Sequence, residues 1–175
     1  EITNNEYRQF VYWVRDSVAA RKMGKVKAGS DGNEYVDWKA MQQMKWDDPK
    51  TIEALGNTDL ILSPEERIFG KKELDVSKLL FHSEVFDLKE AAKKENQGKS
   101  RSKFIIKKDV AIYPDTLVWI RDFAYSYNEP MTKRYFSHPA FGNYPVVGVN
   151  WKQATAFCEW RTLYLNAYLD SKKRV

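Results

Sequence analysis

Apolar and polar positions along the chain form two helical patterns separated by a long stretch of mixed texture. The first pattern opens at Thr3-Asn4-Asn5-Glu6, which has capping-box spacing, with Thr3 as N-cap and Glu6 at the third helical position. Tyr7, Phe10, Val11, Val14 and Val18 follow on one stripe. Arg21 and Lys22 suit a last helical turn, and Gly24 suits a stop. The second pattern opens at Asn150-Trp151-Lys152-Gln153, again with capping-box spacing, and places Ala154, Phe157, Cys158 and Leu165 on one helix face. Such stripes are too apolar to stay wet, so Phe10, Val14, Trp151 and Phe157 are expected in one core.

Between these helices the signals are weaker. Lys27 to Asn33 reads as a turn, with Gly29, Asp31 and Gly32. Tyr35 to Trp38 fits a short strand, or the opening of a helix through Met44. Thr58 to Leu62 is an extended apolar stretch, and Ser63-Pro64-Glu65-Glu66 has the chemistry of a helix start. That pattern fades by Gly70. Leu79 to Leu88 predicts a strand leading into a short helix at Glu90–Glu95. Phe104–Ile112 and Thr116–Phe123 predict strands, broken at Pro114-Asp115. Tyr125 to Tyr144 is too apolar for a floppy loop and reads as a packed irregular segment. Tyr144 to Val149 predicts a short buried strand, and Asp170 to Val175 a polar loop. There is no internal repeat, low-complexity tract or convincing domain boundary.

Composition narrows the class. The 175 residues are 43% apolar and 14% aromatic, a profile unlike disordered chains. No apolar run reaches the roughly 18–20 residues of a membrane span. A lone cysteine, Cys158, excludes an internal disulfide framework and a multi-cysteine zinc site. The net charge of +5 is confined to residues 89–109, which hold eight Lys or Arg and three acids. Elsewhere 21 basic and 21 acidic side chains balance. The segment is polar at its centre and has only Phe104 as a nearby aromatic, unlike a nucleic-acid reader, which interleaves basic and stacking residues. It reads as a solvated loop or as an electrostatic contact with an acidic partner.

Two blocks resemble one known family. Glu1 to Val11, with Thr3, Asn4, Tyr7 and Phe10, is similar to the "V-T-N-x-x-Y-x-x-F" opening of the formylglycine-generating, sulfatase-modifying-factor domain. His138-Pro139 and Tyr144 to Ala154, followed by Phe157, Cys158, Glu159 and Trp160, resemble that family's later block, in which a P-V strand leads into a W-x-x-A helix carrying C-x-W. Tyr113 to Asp122 with Tyr125 to Met131 resembles more narrowly the GldK/PorK-like branch, the gliding-motility and type IX secretion lipoproteins. The resemblance implies an α+β, formylglycine-generating-enzyme-like (C-type-lectin-like) fold. Residues 1–175 would be the N-terminal portion of one such domain, with an insert at about 25–112. It implies a non-enzymatic structural subunit of the type IX secretion and gliding machinery. That subunit self-associates into a periplasmic ring with a GldN/PorN-like companion. A lipid outside this segment would attach it to the periplasmic face of the outer membrane. The alternatives on the same fold are a formylglycine-generating oxidase and a glycan-binding module. The enzymes' paired catalytic cysteines lie further along their chains, and Cys158 matches the helix cysteine of the later block instead.

The residues themselves offer little catalytic chemistry. Cys158, among Phe157, Trp160 and Ala154, reads as a buried, unreactive thiol. His138 and His82 read as structural histidines, and Asp115, Asp122 and Glu129 do not have calcium-loop spacing. No catalytic residue, cofactor, metal or nucleic-acid partner is expected. The aromatic block, Trp119, Tyr125, Tyr127, Tyr135, Phe136, Phe141 and Tyr144, exceeds what a small half-domain hides. Tyr and Trp are enriched at interfaces because they carry large area at low entropy cost. The expected protein interface therefore comprises Tyr125, Tyr127, Tyr135, Phe136 and Phe141, with Lys93, Lys94, Arg101 and Lys103 of the basic segment.

Overall fold

Thr3 and Glu6 close the capping box their spacing predicts. The Thr3 N–H donates to Glu6 Oε2 at 2.8 Å, and the Glu6 N–H donates to Thr3 Oγ1 at 3.3 Å. Helix α1 (Asn4–Lys22) follows, burying Tyr7, Phe10, Val11 and Val14 while Val18 is half-buried. It ends at Met23, and Gly24 turns the chain at φ +67°. The computed structural model describes residues 1–29, 32, 34–121 and 134–173. Backbone contacts divide the chain into two units: Glu1–Leu79 with Tyr113–Val149, and Leu80–Ile112 with Asn150–Val175. The architecture is α+β, with two small antiparallel two-stranded sheets among the described residues.

In the first unit, strands β1 (Val26–Ala28) and β2 (Glu34–Val36) form a hairpin with Val26 opposite Val36. Part of the predicted turn at Lys27–Asn33 is therefore strand, and residues 30, 31 and 33 lie outside the described set. Both readings of Tyr35–Trp38 hold in part, because the strand gives way to α2 (Trp38–Gln42). The Asp37 carboxylate caps that helix by accepting from the Lys39 and Ala40 N–H groups. Helix α3 (Pro49–Gly56) is capped by Asp48. Ser63 and Glu66 do form a capping box, but the helix is a single 3₁₀ turn, Pro64–Glu66, because Arg67 is already extended. Two further predictions are corrected. Thr116–Phe123 is not a strand where it is described: Asp115 accepts from the Leu117 N–H and starts a short helix at Val118–Arg121. Tyr144–Val149 forms no strand, only an isolated bridge between Pro145 and Thr3, and Tyr144 is half exposed.

The second unit is a hairpin with a helix. Strands β3 (Leu80–Phe86) and β4 (Ile105–Ala111) pair antiparallel from Leu80 opposite Ala111 to Phe86 opposite Ile105. Asp87 caps α4 (Leu88–Ala91), earlier than the predicted Glu90–Glu95 helix, and a 3₁₀ turn at Lys94–Asn96 follows. The third long element is the helix numbered α6, since Val118–Arg121 is α5; α6 spans Trp151–Lys173. Its capping box forms as predicted, with the Gln153 N–H on Asn150 Oδ1 at 3.0 Å and the Asn150 N–H on Gln153 Oε1 at 2.9 Å.

Of the predicted α6 face only Phe157 is buried. Gln153, Ala156, Phe157 and Trp160 are buried, whereas Ala154, Cys158 and Leu165 are exposed and Trp151 is 84% exposed. The helix carries two apolar stripes, and polar anchoring to the hairpin selects one. Gln153 Nε2 donates to the Ala111 carbonyl at 3.0 Å, and the Glu159 carboxylate accepts from Ser83 Oγ at 2.6 Å. Phe10 and Val14 are buried in the first unit and Phe157 in the second, while Trp151 belongs to no core. The predicted loop at Asp170 is helical through Lys173.

Candidate functional site

Within the first unit, the opening segment Glu1–Val11 meets the part of the later segment that precedes Asn150. The Asn4 N–H donates to the Tyr144 carbonyl at 2.9 Å, the Asn5 N–H to Gly142 O at 2.8 Å, and the Val146 N–H to Ile2 O at 2.9 Å. Fully buried Asn4 adds a side-chain bond from Nδ2 to Phe141 O at 2.8 Å. Arg8 Nη1 donates to Ser137 O at 3.0 Å. A Cβ at Gly142 would stand 2.6 Å from Asn5 Nδ2, so the Asn5 side chain would have to move to admit one.

The predicted aromatic interface divides. Tyr125 and Tyr127 lie outside the described residues. Tyr135 and Phe136 are buried, a correction to their expected surface role. Tyr135 Oη donates to Pro145 O at 2.7 Å and stacks at an angle on Phe141. Phe136 meets Tyr7 and Tyr113 edge-on. These rings are consumed by the junction of the two blocks. Phe141 is half-buried, and Tyr144 packs edge-on against it with half its own surface open. Burial raises the pKa of Tyr7, Tyr113 and Tyr135 above the ordinary phenol value.

The predicted basic residues, Lys93, Lys94, Arg101 and Lys103, are all exposed on the second unit. Their segment is ordered rather than loose. Buried Asn96 donates from Nδ2 to Glu90 O at 2.8 Å and accepts from Lys99 Nζ at 2.6 Å. Lys93 pairs with Glu90 at 2.6 Å; that hydrogen bond lowers the Glu90 pKa and raises the Lys93 pKa. The Arg101 guanidinium lies 5.1 Å above the Phe86 ring, which also meets Phe104 edge-on. On the hairpin, Lys107 pairs with Glu84 at 2.7 Å and His82 with Asp109. Lys94, Lys103 and Lys108 have no acidic partner among the described residues. The segment's positive charge is therefore only partly neutralised within the chain, and it is presented by a structured hairpin.

An apolar surface accompanies it. Residues 161–170 of α6 are exposed at every position. Leu163, Tyr164, Leu165, Tyr168 and Leu169 are each 45–59% exposed. A helix that is apolar on several sides is normally buried on several sides. Of this set a single stripe picks out only Leu165, because the leucines and tyrosines wrap the helix.

The remaining candidates are structural. Cys158 is exposed, not buried as expected, because the hairpin takes the other face of α6. His138 accepts from the Ala140 N–H at 3.2 Å and caps the 3₁₀ turn Pro139–Phe141. Asp115 accepts from the Leu117 N–H and pairs with Arg121 at 2.5 Å; both contacts hold its pKa below the usual carboxylate range. Among the described residues, no three His, Cys, Asp or Glu side chains are grouped to hold a metal ion, and no helix is long and apolar enough to cross a membrane. No family model, curated protein or solved structure matches the chain.

Proposed function

We propose that this chain is a structural, non-enzymatic subunit of the type IX secretion and gliding machinery. It uses a formylglycine-generating-enzyme-like fold with an insert at about 25–112. It self-associates into a periplasmic ring with a GldN/PorN-like companion, and a lipid outside this segment attaches it to the outer membrane. The sequence resemblance supplies the machinery and the companion. Support for the fold comes from the junction of Ile2–Asn5 with Gly142–Val146, since the resembling blocks lie far apart in sequence yet are hydrogen-bonded side by side.

The observation that carries the assembly role is the second half of α6. Five large apolar side chains on ten consecutive exposed residues form a surface of the kind that marks protein contacts. The partly unneutralised basic hairpin adds a charged contact for an acidic neighbour.

The test is the mass of the full-length protein mixed with its companion, read by light scattering. A ring-sized species is expected, and Leu165→Asp with Leu169→Asp should reduce it to small species. An unchanged urea midpoint of the variant's monomer separates lost assembly from lost folding. A single monomer peak at high concentration, with companion present, overturns the reading.

A further inference from the structure

The hairpin of the second unit has one covered edge and one open edge. The Glu84 N–H points away from β4, to Glu159 Oε1 at 2.9 Å. The Asp87 N–H points toward the β4 side, to Phe104 O at 2.7 Å. Inward and outward backbone groups alternate along an antiparallel ladder. Glu84 opposite Lys107 and His82 opposite Asp109 are thus the pairs whose backbone groups face outward. Ala111 agrees, because its outward carbonyl accepts from Gln153 Nε2. On β4, Lys107 and Asp109 therefore turn both N–H and C=O to the open side. Ile105 adds its C=O, while its N–H is taken by Ser102 O. Among the described residues no strand pairs with this edge.

We propose that the free edge of β4, from Ile105 to Asp109, receives an extended acidic segment of a partner protein as an added strand. The inference rests on the assembly reading above and specifies how the charged contact is made. An edge strand offers main-chain bonds to any extended peptide, and neighbouring side chains decide which one fits. Here the neighbours are Lys107 and Lys108, with Lys103 close in sequence and Lys103 and Lys108 lacking acidic partners among the described residues. Ile105, Ile106 and half-buried Val110 flank the lysines and suit apolar residues beside the acids.

A second copy of the chain is the competing occupant. Of the registers that match the outward groups of two antiparallel β4 strands, one sets Lys107 opposite its own counterpart, and the next sets Lys108 opposite its own while pairing each Lys107 with Asp109 of the other copy. Like charges directly opposite one another destabilise a sheet pair. An acidic strand can set a carboxylate against each lysine without that conflict.

The experiment uses the full chain and three synthetic extended peptides: one alternating Glu with Val and Thr, its lysine counterpart, and the acidic peptide N-methylated at alternate amides. Binding is read by fluorescence anisotropy. The acidic peptide is expected to bind, and the other two to bind at least about tenfold more weakly. Asp109→Pro removes one outward N–H without touching the ladder to β3 and keeps every lysine, so it should abolish binding with the fold intact by circular dichroism. Lys107→Glu with Lys108→Glu should weaken binding about tenfold. Amide exchange at Lys107 and Asp109 should slow when the acidic peptide is bound. If the lysine changes matter but Asp109→Pro and N-methylation do not, strand addition is overturned while the charged contact stands. If none of them matters, both are overturned. If Asp109→Pro converts a peptide-free dimer into a monomer, the occupant is a second copy and the proposal fails.

Discussion

At the residue scale, the least tolerant position is Gly148. Its φ of +79° is a left-handed conformation, and its carbonyl accepts from the Asp115 N–H at 2.9 Å. A Cβ there would stand 2.2 Å from Asp115 O, which is backbone and has no rotamer to change. Gly148→Ala therefore combines backbone strain with a clash, and it should cost about 2–4 kcal/mol in urea denaturation. A cost under about 0.5 kcal/mol would mean the two strands of chain are not apposed there. The buried tyrosines give a second prediction. Burial raises the pKa of Tyr7, Tyr113 and Tyr135 in the folded protein, while the unfolded value stays near 10. Their contribution to stability is fully present below about pH 10 and is lost as pH rises above it, because the unfolded chain releases protons the fold retains. The unfolding free energy from urea denaturation should be flat from about pH 8 to about pH 10 and then fall, by up to about 1.4 kcal/mol per pH unit for each retained proton. Tyr7→Phe should flatten that fall; an unchanged slope would show that Tyr7 ionises freely in the fold.

At the element scale, one carboxylate links helix α6 to strand β3. Glu159 accepts from Ser83 Oγ at 2.6 Å and from the Glu84 N–H at 2.9 Å, so it ties the helix to the covered edge of β3. Glu159→Ala should cost about 1.5–3 kcal/mol, as expected for hydrogen bonds to a charged group. It should also expose the Glu84 amide to exchange; an amide still protected would mean that another group covers that edge. Glu159 belongs to no motif that patterning detects, and this marks the limit of what was legible. Capping boxes depend on residues three apart, so Thr3–Glu6 and Asn150–Gln153 could be read directly, while Ser63–Glu66 read only as a helix start. The β3–β4 strands were legible from their apolar content. Choices made by distant partners were not. The Ala154, Phe157, Cys158 stripe and the Gln153, Phe157, Trp160 stripe of α6 share Phe157 and look equally burial-worthy until the hairpin takes one. Val118–Arg121 is rich in strand formers, yet Asp115 at its start makes it helical. Of the expected interface, the exposed basic residues were legible from composition. Phe136 looked like surface because its partners Tyr7 and Tyr113 lie far away in sequence, and Tyr135 because no spacing rule announces its contact with Trp119.

At the scale of the whole molecule, each unit is assembled from two separate lengths of chain, and the two differ in how their backbone is protected. In the first unit, α1 is a long helix with nine buried residues, sealed at its start by backbone bonds to Gly142 and Tyr144. In the second, the sheet has two strands, and six of the seven β4 residues are exposed. An isolated hairpin is marginal in water, so this one depends on the buried face of α6 for its stability. That face reaches only from Gln153 to Trp160, and the rest of the helix is exposed. Local opening is easiest where few apolar contacts and many solvent-facing backbone bonds coincide. In the free protein, amide exchange should therefore be fastest in α6 beyond Trp160, intermediate in β3 and β4, and slowest in the centre of α1. Partner binding should slow exchange in the first two of these regions and leave α1 unchanged. Equal protection of β4 and α1 in the free protein would contradict this order, and with it the idea that the second unit's surface is completed only in an assembly.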